Sequence, residues 1–298
     1  AGYSQKQMAE MLDTTQQTIA RWETGKVEPN LAALRDLALC LQTSVDALLG
    51  RSPALPHQTT NPFARYRGDD SGFWGHIGIR LPSVEFAAWY PISTITMEQV
   101  YRDVQSDDAE DWINFQTLNN KMVVFRPSRA QWVVFLDDND DEFEGDWKLE
   151  PDAIQGWPEE VYNCIEAKFS HCGEDDDREK FSKKIVTLTA DYINRFGIDE
   201  AKAMQLCDET RIVGRDGTVR KLICSPEKMA DAFFDFDVGV QNAGTLMMRL
   251  DDGYGERDIF FSLIQTTLIE FPLIKLKEGI EQQLKELEKD MAKHDKVA

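Results

Sequence analysis

Within its first fifty residues the chain carries the start and stop signals of two short helices set only a few residues apart, a spacing that few folds accept. Ser4-Gln5-Lys6-Gln7 has the form of a capping box, and Met8 and Leu12 follow at helical spacing, which predicts a helix over 5–12. Asp13-Thr14-Thr15 breaks it. Thr15 is placed to cap a second helix that buries Ile19 and Trp22 and stops at Gly25, a residue suited to the left-handed position after a helix end. Beyond Pro29, Leu31, Leu34, Leu37, Ala38 and Leu41 recur at threes and fours and mark a third, amphipathic helix. Ser44 then opens a last short one with Val45, Leu48 and Leu49.

The run SQKQMAEMLDTTQQTIARWETGKVEPNLAALRDLALCLQTSVDALL resembles the lambda-repressor-like (Cro/repressor, Xre) helix-turn-helix family, over about a sixth of the chain. In that family Ser-Gln opens the second helix, an Ala packs inside it, Glu-x-Gly-Lys closes the reading helix and a Pro leads to the fourth. Ser4-Gln5, Ala9, Glu23-Thr24-Gly25-Lys26 and Pro29 hold those places. The segment TTQQTIARWETGK is also similar to that of a lambdoid phage repressor whose reading helix opens Thr-Thr-Gln-Gln. The resemblance implies a transcriptional regulator that binds double-stranded DNA through Gln5, Thr15, Gln16, Gln17, Thr18, Arg21 and Lys26. In such a motif the N-terminal turn of the second helix enters the major groove, where Gln pairs with adenine and Arg with guanine. Gln16, Gln17 and Arg21 are the expected readers, and Thr18 is placed for a thymine methyl or a phosphate. By family analogy Gln5 and Lys26 clamp the backbone, Gln5 from a helix N-terminus. One such module reads only a few base pairs, so a homodimer on a palindromic operator is expected. The family also has a basic helix ahead of the Ser-Gln segment, and this sequence starts at Ala1-Gly2-Tyr3. With that first helix missing, the faces of Met8, Leu12, Ile19 and Leu37 are expected to stay exposed and residues 1–50 to be mobile.

Charge bears on DNA binding, because basic side chains supply most non-specific affinity. The formal net charge is −20, of which residues 1–50 carry only −2, with Lys6, Arg21, Lys26 and Arg35 against six acids. The acidic remainder either suppresses non-specific binding or simply keeps the chain soluble. Hydrophobic residues make up 42% of 298, enough for a real core after the first module. No apolar run reaches membrane-spanning length and no signal-peptide pattern opens the chain, so a cytoplasmic protein without a membrane partner is expected. Five cysteines, an odd number, suit a reducing compartment rather than a disulfide framework.

The expected organisation is an all-α helix-turn-helix domain over 1–50, a Pro- and Thr-rich linker over 51–72, an α+β body over 73–273 and a C-terminal helix over 274–298. FWGHIGIRL alternates as a half-buried strand, WINFQTL and KMVVF flank Asn119-Asn120 as a hairpin, and WVVFLDD reads as a further strand. Residues 87–136 can be laid over 219–272. Ser93, Met97, Tyr101 and Val104 then meet Ser225, Met229, Phe233 and Phe236, while Val123, Phe125, Trp132, Val133 and Phe135 meet Ile259, Phe261, Leu268, Ile269 and Phe271. The match is either chance or two tandem copies of a small β-meander and helix unit, the second with an Asp-Gly hairpin in RIVGRDGTVRKLIC. Segments 159–169 and 178–196 read as helices, the latter ending at Gly197. Ile280, Leu284, Leu287 and Met291 form a short heptad seam that either pairs two subunits or packs on its own body.

No catalytic or metal signature is present: His-Glu-x-x-His and Gly-rich phosphate loops are missing, and Cys164, His171, Cys172 and Cys207 lack a usual zinc spacing. The acidic run 137–146 lacks the Gly and closing Glu of a calcium loop. A non-enzymatic protein with no cofactor or metal is expected. The resemblance implies a regulator, expected to act as a repressor, whose body is expected to sense a small molecule or protein effector. The alternative is a DNA-docking adaptor, such as an antitoxin or defence-system component, whose body binds another protein.

Overall fold

A computed structural model of the chain describes residues 3–41, 48, 73–105, 112–138, 146–169, 181–237, 247–253 and 257–294. The expected helix after Ser44, the 51–72 linker, most of the acidic run 137–146, and His171 with Cys172 lie outside the described residues.

Three helices open the chain, α1 (Gln5–Met11), α2 (Gln16–Glu23) and α3 (Leu31–Leu41). Their ends follow from local chemistry. The Gln7 N–H donates to Ser4 Oγ while the Ser4 N–H donates to Gln7 Oε1 at 2.9 Å, closing the capping box. Thr15 Oγ1 accepts from the Thr18 N–H at 3.1 Å, and Gly25 takes φ +66 just beyond α2, where a Cβ would strain.

The body runs β1 (Phe73–Arg80), β2 (Ala88–Ser93), α4 (Thr94–Val104), β3 (Ile113–Gln116), β4 (Lys121–Phe125), β5 (Trp132–Asp137), α5 (Glu159–Phe169), α6 (Lys183–Phe196), α7 (Glu200–Cys207), β6 (Glu209–Gly214), β7 (Val219–Ile223), α8 (Pro226–Asp237), β8 (Met247–Asp251), β9 (Asp258–Ser262), β10 (Thr266–Pro272) and α9 (Leu273–His294). A five-stranded sheet, ordered β3-β4-β10-β6-β7, forms its middle layer. Side chains alternate across a strand, so adjacent residues serve opposite faces. Val123, Phe125, Val213 and Leu268 face the three-stranded sheet β2-β1-β5 and α4. Met122, Val124, Ile212 and Ile269 face α8, the β8-β9 hairpin and the start of α9. Asn120 ties this middle layer to two helices: at φ +59 it makes the β3-β4 turn, donates Nδ2 to Leu206 O at 2.8 Å and accepts the Ile274 N–H at 3.0 Å.

One pairing pattern occurs twice. β1 pairs with β2 and β5 while β3 pairs with β4; β6 pairs with β7 and β10 while β8 pairs with β9, all antiparallel. A helix opened by a serine follows β2 and β7 alike, with Ser93 accepting from the Thr96 N–H and Ser225 from the Lys228 N–H. Among the described residues only β4 with β10 joins the two sets.

The fourth layer is helical and changes the expectation for the N-terminus. Met8, Ala9, Met11, Leu12 and Ile19 are buried in a cluster with Val161, Tyr162, Leu188 and Tyr192 from α5 and α6, and Leu37 is half-buried against it. The expected exposed face is therefore covered by the body. Lys184 of α6 pairs with Asp36 of α3, and Tyr3 packs against the cluster that holds Tyr192. Helix α7, capped by Asp199, completes this layer and was not expected from the sequence. In the C-terminal helix, Ile280 packs on the α8 side, while Leu284 and Leu287 are exposed; the side chain of Met291 lies outside the described residues.

His76 is buried in β1, with Nε2 2.9 Å from Ala153 O and its ring edge-on to Trp147. Burial pushes its pKa down, and the Ala153 and Ile154 carbonyls and Asp138 offset this only in part. The folded chain thus favours the neutral ring. That contribution to stability is present above the unfolded value, roughly 6.5, and is lost as the pH falls through the lower folded value. His76→Gln is expected to flatten the fall in urea midpoint between about pH 7 and 5, measured beside the unaltered protein.

Candidate nucleic-acid interface

Helices α1 and α2 meet at a corner fixed by Asp13, at φ +48, and by the Thr14 N–H donating to Ala9 O at 2.9 Å. The apolar sides, with Met8, Ala9, Leu12 and Ile19, point into the core shared with α5 and α6. The opposite side of α2 therefore faces solvent. Gln16, Gln17 and Arg21 are exposed on it, and Lys26 is exposed just past the helix end, its N–H donating to Arg21 O at 2.9 Å. Docking on the body leaves the first turn of α2 uncovered among the described residues.

Residues 1–48 match a helix-turn-helix module. The family described as helix-turn-helix has a model that matches these residues. Over 48 residues the chain is 46% identical to YonR, an SPbeta prophage-derived uncharacterized HTH-type transcriptional regulator of Bacillus subtilis (strain 168). That stretch is 16% of this chain and spans 44% of the length of that relative. No solved structure matches the chain.

Within the module the side chains singled out in the sequence differ in their freedom. Gln5, the first residue of α1, donates Nε2 to Glu23 Oε2 at 2.6 Å and accepts from Gln16 Nε2 at 3.4 Å. These contacts bring the start of α1 against the exposed face of α2. Glu23 is the member of this trio whose role the sequence did not suggest, because its partner lies 18 positions away. Thr15 and Thr18 are held together, their hydroxyl oxygens 2.9 Å apart, while Thr15 caps α2. Their first job is to fix the start of the helix. Gln17 and Arg21, one turn apart on an exposed face, make no side-chain hydrogen bond among the described residues and present open donors and acceptors.

The body adds no comparable chemical centre. Among the described residues no group of three or more His, Cys, Asp or Glu gathers as a ligand set, and no helix is long and apolar enough to cross a membrane. Burial pushes the Cys40 thiol up to about 11 and that of Cys224 to about 12, and raises Cys207 as well, so these thiols stay protonated and inert at neutral pH.

Proposed function

We propose that this chain is a transcriptional regulator that reads DNA through α2 and acts by binding rather than catalysis. The exposed Gln16-Gln17-Arg21 face on a module that matches the helix-turn-helix family carries this function. The regulatory character of the HTH-type relative supports it. It acts as a dimer, because one reading turn spans too few base pairs for a unique operator, and as a repressor by occupying that site. Gln17 and Arg21 read base edges, Gln16 and Thr18 flank them, and Gln5, Thr15 and Lys26 hold the phosphate backbone.

The body over 73–273 consists of two tandem copies of one unit, supported by the shared order of elements, the shared pairings and the two serine-capped helices. Its sensing site is a cleft of about 610 Å³ between the β6-β7 face and β9, with Ile212, Leu222 and Phe261 as apolar lining and Asp216, Arg220 and Lys221 as charged groups. A small effector carrying polar groups fits such a lining.

Titration against a panel of operators with single base changes tests the assignment. Arg21→Ala and Gln17→Ala are each expected to lose about 1–3 kcal/mol at one base pair of each half-site and to relax preference there. Lys26→Ala is expected to weaken every sequence alike and to lower the salt dependence by about one counterion. Equal losses across the panel for Arg21→Ala would remove it from the readers.

A further inference from the structure

The two copies are joined on one side and not on the other. The first copy's hairpin enters the second copy's sheet through β4 and β10, with Val124 opposite Ile269 and Met122 opposite Phe271. All four side chains are buried in the second copy's core. The equivalent join would bring the second copy's hairpin, through β9, onto the first copy's sheet at β5. It is not made within the chain: among the described residues β5 neighbours only β1, and β9 neighbours only β8.

Exposure records the difference. Every residue of β10 is buried, whereas every residue of β5 is only half-buried. Val124 is fully buried, whereas Phe260, which holds its place in the second copy, is 56% exposed. Among the described residues neither strand has a strand neighbour on its outer side, and an open sheet edge is a template for another strand.

We propose that β5 of one chain pairs with β9 of a second copy of this chain, in the antiparallel register that β10 and β4 already use. Phe260 then lies opposite Val133 of the other copy and enters its first-copy core beside Phe135, as Val124 enters the second-copy core beside Ile269 and Phe271. Arg257, exposed just before β9, falls on the same face as Asp138 at the end of the other copy's β5. Two such joins related by a two-fold axis use the same surfaces twice and close a dimer. The proposal rests on the tandem-copy organisation and supplies the interface of the dimer that a two-half-site operator requires.

Disulfide trapping in the full chain tests it, in a Cys172→Ser background because the four described native cysteines are buried. Cα atoms of directly opposed antiparallel residues lie within disulfide reach. A mixture of Val133→Cys chains and Phe260→Cys chains is expected to give a product of twice the mass on mild oxidation, and Val133→Cys with Ser262→Cys, two residues out of register, is not. Phe260→Asp, at a solvent-exposed position that tolerates the change, is expected to weaken self-association at least tenfold by analytical ultracentrifugation. A disulfide closing within one chain that carries both Val133→Cys and Phe260→Cys, a dimer indifferent to Phe260→Asp, or a monomer at tens of micromolar would each overturn the interface. Val124→Cys with Ile269→Cys reports separately on the organisation beneath it. If that in-chain bond forms while the mixture fails, only the interface is wrong. If neither forms, the tandem-copy organisation falls with it.

Discussion

Leu188→Ala is expected to cost the folded chain about 2–5 kcal/mol, the range for removing a fully buried leucine from a packed core. Its effect should reach the DNA-binding module. Lys184, Leu188 and Tyr192 are spaced by four on α6 and therefore share one helix face. The first pairs with Asp36 and the last is clustered with residues of α1 and α2, so Leu188, 1% exposed, lies among contacts to the N-terminal helices. Hydrogen exchange is the measurement. Amides over 5–24 are expected to be strongly protected in the unaltered chain and to lose protection in Leu188→Ala, with DNA affinity falling alongside. Unchanged exchange over 5–24 in a destabilised variant would show that the module folds without the body.

Arg211→Met is expected to destabilise by about 3–5 kcal/mol, because it leaves a buried carboxylate without its cation. Glu270 sits in the central strand β10, where it accepts from the Tyr90 hydroxyl at 2.6 Å and pairs with Arg211 across the sheet. Burial pushes the Glu270 carboxyl up, but the Arg211 guanidinium, Lys121 and the Tyr90 hydroxyl together outweigh it and hold it below the ordinary value. The linkage sign follows. A depressed folded pKa stabilises above the unfolded value, roughly 4.3, and that contribution disappears as the pH falls through the folded value. Without Arg211 burial prevails, the carboxyl rises, and acid unfolding should begin at a higher pH. Denaturant titrations of both proteins from about pH 7 to 3 measure the displacement. Coincident profiles would mean that Lys121 and Tyr90 suffice for the charge. Replacing Arg211 and Glu270 together by apolar residues is expected to recover much of the loss, since the isolated charge is what costs most.

The elements legible in the sequence are those whose signals are local. Ser4 with Gln7, Thr15 with Thr18, Gly25, Asn120 and Gly217 each settle a cap or a turn within a few residues, and α1 to α3 and the hairpins follow from them. The exposed face of α2 was legible for the same reason, since a short amphipathic helix with Ile19 on one side must show Gln17 and Arg21 on the other. What the sequence left open is the choice of distant partners. Nothing near Met8 or Leu12 names Tyr192 as their neighbour, and an apolar helix face fits any apolar face of similar shape. The apolar faces expected to stay exposed are covered by the body on that account. Glu270 reads locally as an intrusion in an apolar strand, and its partner Arg211 lies 59 positions away. The short helix α7 escaped because eight residues with a weakly amphipathic pattern resemble a loop.

The single join between the two strand sets also orders events during synthesis. Residues 121–125 leave the ribosome long before residues 268–272, yet among the described residues β4 has no other outer neighbour than β10. The nascent chain must carry Met122 and Val124, later fully enclosed, as one side of an open strand edge until β10 has emerged. Contacts of such sequence separation slow folding, and waiting edges invite the neighbouring nascent chain on the same message. A chain of this design should depend on holdase chaperones during translation, and polysomes crowded with it should accumulate intermolecular strand pairs when elongation stalls between β5 and β10.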